Sequence, residues 1–94
     1  MREVETTASD SNTLLPNVKY NFGEVATLTV EFDETNTSNR SEYSFTFTSG
    51  ATPTVLTLPD TVKWVNELTV EANKRYEISV VDNIGLWCAV EVSV

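Results

Sequence analysis

The side chains of this chain that could do chemistry are mostly carboxylates, and they stand without their usual helper. Glu31, Glu71, Glu77 and Glu91 sit among alternating apolar residues, and the sequence contains no histidine. That absence removes the commonest general base and the commonest neutral metal ligand, and with them Ser-His-Asp, Cys-His and zinc-hydroxide schemes. Two carboxylates could still cleave a glycosidic bond if a cleft held them roughly 5 to 10 Å apart. The polar strand positions these glutamates occupy read instead as solvated faces, because one small domain offers no deep pocket. No enzymatic activity, catalytic residue or cofactor is therefore expected.

The remaining reactive groups point the same way. Cys88 lies between Leu86 and Val90 on an apolar alternation and reads as a small buried hydrophobe, with no nearby base to make it a nucleophile. As the single cysteine it cannot form an internal disulfide, which suits a reducing compartment or assembly in a cytoplasm. Asp33-Glu34-Thr35 and Asp82-Asn83 supply loop oxygens, but neither follows the spacing of a calcium loop, so no metal site is expected.

Strands must carry these groups. Period-two alternation recurs in residues 18–22, 25–33, 42–49, 75–82 and 86–94, with shorter candidates at 54–58, 61–65 and 67–71. Gly23, residues 48–53, Pro59-Asp60, Asn73-Lys74 and residues 82–85 punctuate them with turn chemistry. The fold expected is all-β, an antiparallel β-sandwich of jelly-roll or Ig-like type with about 7 to 8 strands. One competing pattern would place Val62, Val65, Leu68 and Ala72 on a helical stripe over residues 62–75. The β-branched Thr69 and Val70 and the lack of a cap count against it. Residues 1–13 are polar and aperiodic and read as a flexible N-terminal lead to a single domain over 14–94. No internal repeat is evident.

Composition limits the partners. With 40% hydrophobic and 21% charged residues, the 94-residue chain can bury one core and is not expected to be disordered. Its formal charge of −8 repels phosphate backbones and anionic membrane surfaces, so neither nucleic acid nor membrane is an expected partner. The start is rich in charges and hydroxyls where a secretory leader would be apolar, and no run reaches the roughly 18 apolar residues of a span.

The aromatic residues divide into two groups. Tyr20, Phe22, Phe32, Tyr43, Phe45, Phe47 and Tyr76 fall on the predicted inward faces and read as core. Trp87 alternates opposite Cys88 and Val90, and Trp64 shares a segment with Lys63 and Asn66, so both tryptophans are interface or ligand candidates. For Trp87, cover by a second sheet or a subunit ranks above stacking on a sugar ring. The polar loop 33–42 adds Asn36, Asn39 and Arg40 as contact candidates, with residues 49–53 as a second contact loop. Asn36 and Asn39 each open an N-x-[ST] sequon, which would matter only on a eukaryotic secretory route.

Three stretches, LLPNVKYNFGEVATLTVEF, YSFTFTSGATPTVLTLPDTVKW and NKRYEISVVDNIGLWCAV, resemble a small β-domain of tailed-phage virion proteins from gut bacteria. Similar segments occur near the C-terminal ends of tail-fibre, baseplate and head-decoration proteins, and the likeness spans residues 14 to 92. It rests on F-x-F-x-S-G, L-P-x-x-V-x-W and K-x-Y-E-I-S-V in that order. The resemblance implies a non-enzymatic virion module, assembled in the bacterial cytoplasm and displayed as a homo-oligomer, most often a trimer. Its implied partners are other virion proteins and a host surface glycan or protein, and it carries over no catalytic residue. The alternative is a bacterial carbohydrate-binding or Ig-like adhesion domain in which Trp64 or Trp87 stacks on a sugar.

Overall fold

Alternating apolar residues become strands wherever a second strand satisfies the backbone, and here that produces two sheets. The structure, a computed structural model, describes residues 2–7, 11–33 and 42–91. Among them are nine strands and no helix: β1 (Arg2–Glu5), β2 (Asn12–Leu14), β3 (Val18–Glu24), β4 (Thr27–Phe32), β5 (Glu42–Ser49), β6 (Val55–Thr57), β7 (Lys63–Trp64), β8 (Lys74–Val81) and β9 (Ile84–Glu91). A six-stranded sheet runs β1-β3-β5-β8-β9-β7, and a small sheet runs β2-β4-β6.

The sheets are mixed, which corrects the antiparallel expectation. Pairs β1/β3, β3/β5, β2/β4, β4/β6 and β7/β9 are parallel, and only β5/β8 and β8/β9 are antiparallel. The cause lies in the winding. From β1 to β6 the chain changes sheet at every step, so consecutive strands of one sheet are joined through a strand of the other. A parallel pair needs such a crossover, and here a strand takes the place a helix usually fills. This route pairs distant segments, a property that the local pattern of a strand does not encode.

Both sheets contribute to one core. Leu14, Leu28 and Val30 of the small sheet cluster with Phe22, Tyr43, Phe45, Phe47, Tyr76, Ile78 and Val80 of the large one, all buried. All seven aromatic residues assigned to inward faces are buried or half-buried. They meet as ring pairs: Phe45 and Phe47 stack at 6.3 Å, Phe47 and Tyr76 at 5.3 Å, and Phe32 meets Tyr43 at 4.5 Å.

Two further expectations are corrected. Residues 2–5 and 12–13, read as part of a flexible lead, form β1 and, together with Leu14, β2, because β3 and β4 offer them open edges. Residues 67–71, expected as a short strand, do not form one, and the helical stripe over 62–75, which the β-branched residues counted against, is likewise absent. This segment instead places Leu68 and Val70 against the core. A short likeness missing from the sequence reading also emerges at two turns. Asn17 and Asn73 adopt φ of 62° and 59°, a region that asparagine tolerates well. Each precedes a tyrosine whose hydroxyl accepts the backbone N–H of the residue five positions before it, Leu15 for Tyr20 at 3.0 Å and Glu71 for Tyr76 at 2.7 Å.

Candidate functional site

The last hairpin organises the part of the molecule best suited to contact. Asp82 and Asn83 have φ of 53° and 64°, the pair of positive values that a two-residue type I′ turn requires between β8 and β9. These residues, considered above as loop oxygens for a metal, thus have a structural use. Among the described residues no group of three or more His, Cys, Asp or Glu could hold a metal ion.

Pairing with β8 decides which face of β9 turns inward. Ile78 opposes Trp87, Tyr76 opposes Ala89 and Val80 opposes Gly85. Opposed residues share a face, so Gly85, Trp87 and Ala89 lie on the core side with the buried Tyr76, Ile78 and Val80. Two expectations are thereby reversed. Trp87 is not on the outer face: its ring packs 6.0 Å from that of Tyr76, and its Nε1–H donates to the Asn66 carbonyl at 3.1 Å. Cys88 is not buried but exposed, on the outer side with Leu86 and Val90. Alternation gave β9 two apolar faces, and the more uniformly apolar one is the one left outside.

Trp64 also turns inward. It is half-buried against the core, and its ring covers Gly85 so closely that an added Cβ would meet the ring carbons. Beside it runs a groove of about 330 Å³ lined by Leu56, Leu58, Asp60, Trp64, Leu68 and Val70 among others. Among the described residues Asp60 is its single titratable lining residue, and none of them adds the second carboxylate that glycosidic cleavage requires.

Of the four candidate glutamates, Glu71 and Glu91 both lie near Lys74. Glu31, Glu71 and Glu91 are exposed. Glu77 accepts a hydrogen bond from Lys19 Nζ at 3.1 Å. That ion pair joins β3 to β8 across β5, over the buried Ser44 and Thr46 that lie between them in register. Glu71 holds Lys74, raising the lysine's pKa above its ordinary value by hydrogen bonding and by charge. Asn36, Asn39 and Arg40 lie outside the described residues, as does most of the loop 33–42. In the second loop, Ala51, Thr52 and Pro53 are exposed, while Ser49 Oγ anchors the loop by accepting the Thr54 N–H at 3.0 Å.

What the sequence reading missed is the outer side of β9. Ile84, Leu86 and Val90 are 49%, 51% and 59% exposed, forming with Cys88 an uncharged apolar strip. Across the rest of that face run polar groups: Lys19 with Glu77, Asn21 with Glu5 and Thr46, and Ser44 with Ser79. An apolar strip beside a hydrogen-bonded polar face is the pattern of a contact surface. Comparisons with family models, curated proteins and solved structures find no match to this chain.

Proposed function

We propose that this chain is a non-enzymatic structural module of a tailed-phage virion, serving oligomerisation, surface display or host attachment. The observation that carries the reading is the exposed apolar strip Ile84, Leu86, Cys88 and Val90, beside an otherwise polar sheet face. Such a strip supports association rather than turnover. The resemblance of residues 14 to 92 to phage virion β-domains supplies the setting. In this reading the two sheets face each other as a β-sandwich, supported by the single core cluster that both contribute to. Immunogold labelling of intact phage particles, with antibody raised against the chain, tests the proposal. Labelled tails, baseplates or heads are expected, whereas antigen confined to the soluble fraction of the lysate would refute it.

A second reading, a carbohydrate-binding or adhesion domain, draws on the groove where Trp64 and Asp60 stand together. An aromatic ring beside a carboxylate can stack on a sugar and accept its hydroxyl protons. Saccharide binding on a glycan array, lost in a folded Trp64→Ala variant, is the result that would favour it.

A further inference from the structure

Both sheets end at the groove beside Trp64. β6 is the last strand of the small sheet and β7 the last of the large one, and Leu56 of β6 and Trp64 of β7 line the groove together. Leu58, Leu68 and Val70 add aliphatic walls, and Asp60 is the one lining residue among those described with a charged, hydroxyl or amide side chain. Among the described residues its carboxylate has no hydrogen-bonding or ion-pair partner. Lys63 does not supply one: it alternates with Trp64 in β7, which sends the two side chains to opposite faces. The groove therefore joins an indole, an aliphatic wall and an uncompensated negative charge.

We propose that this groove holds an arginine side chain from an extended basic segment of a partner protein. Each part of that side chain meets its complement in the lining. The guanidinium pairs with the Asp60 carboxylate and is attracted to the indole of Trp64, and the methylene stem lies against the leucines and Val70. Arginine is favoured over lysine because its planar, weakly hydrated head stacks on aromatic rings and leaves water at lower cost. A saccharide carries hydroxyls around its whole ring and would meet a single polar side chain here, leaving most of them without a partner. An extended segment is favoured over a free small amine because β6 and β7 are sheet edges, whose backbone groups can pair with a further chain. The net charge of −8 draws a basic segment and repels an acidic one. This inference does not rest on the virion reading, and it names a partner chemistry that reading leaves open.

The strength expected is modest. Asp60 is exposed, so water and salt screen its pairing with the guanidinium, and the indole and the aliphatic wall must supply the rest. A short peptide carrying one arginine should therefore bind with a dissociation constant of about 1 mM. Asp60 has no described partner to lose, so its substitution should leave the fold intact. Glu67 supplies the control: it is an exposed carboxylate of the same segment that does not line the groove.

The test is an NMR titration of isotope-labelled protein with the peptide acetyl-Leu-Arg-Leu-amide, taken to about 10 mM. Saturable shifts are expected at the Trp64 indole N–H and at the amides of residues 56–70. The same peptide with citrulline, an uncharged mimic of arginine, should bind at least about fivefold more weakly to the unaltered protein. Asp60→Asn should weaken the arginine peptide by a similar factor, whereas Glu67→Gln, an equal change in net charge, should alter it less than about twofold. Shifts that fail to saturate, equal binding of the citrulline peptide, or equal losses in the two variants would overturn the proposal. So would tighter binding of maltose at the same amides, which would return the groove to a sugar. Any of these outcomes leaves the virion reading to particle labelling alone.

Discussion

The ring of Trp64 lies against Gly85 with no space for a side chain between them: a Cβ placed on the glycine would stand 2.7 Å from Cε3 and 2.9 Å from Cζ3. A rigid ring cannot yield as a flexible chain end would. Gly85→Ala should displace Trp64 and cost about 1–3 kcal/mol, read as a lower urea midpoint with a changed tryptophan emission. An unchanged midpoint would mean that the ring is not held there.

Tyr76 is buried, and its hydroxyl accepts the Glu71 N–H and donates to the Thr69 carbonyl at 3.3 Å. Tyr76→Phe keeps the ring and loses both bonds, tying segment 67–71 less firmly. A loss of about 1 kcal/mol is expected, together with faster amide hydrogen exchange at Glu71.

The turn between β8 and β9 can be improved. Asparagine and aspartate tolerate positive φ, but Asn-Gly suits a type I′ turn better. Replacing Asp82-Asn83 through Asp82→Asn with Asn83→Gly should raise stability by up to about 1 kcal/mol. Asn83→Val, a β-branched residue at φ 64°, should lower it by about 1–2 kcal/mol. Thermal unfolding of the variants compares the two directions.

Lys19 and Glu77 join across β5 with side chains 23% and 43% exposed. Partial exposure keeps the coupling modest: a double-mutant cycle with Lys19→Met and Glu77→Gln should return about 0.2–1 kcal/mol. The coupling should shrink at about 1 M salt, where screening acts within roughly 3 Å.

Glu71 raises the pKa of Lys74 above 10.5, first through a hydrogen bond and then through its charge. A raised folded-state value means that the stabilisation is complete below the unfolded pKa and is lost as pH climbs through the folded one. Chemical denaturation above about pH 10.5 should therefore show an alkaline loss of stability that is smaller in Glu71→Gln. Equal losses in both proteins would remove this pair as a contributor.

The sequence by itself determined most of the strands and the aromatic core. The alternation in β3, β4, β5 and β8 places large apolar side chains on one face and polar ones on the other, so burial has a single solution. Only the tertiary structure decided the rest. In β9 both alternating faces are apolar, and the choice fell to the register with β8, to Trp64 over Gly85 and to Asn66 bonding Trp87. Strand β1, with its two glutamates, has no inward pattern strong enough to be recognised and exists because β3 offers it backbone partners. The parallel pairs follow from a chain that crosses between sheets, bringing together residues far apart in sequence. Period-two patterning reports which residues share a face. Which face is covered, and by which strand, depends on partners that local sequence does not contain.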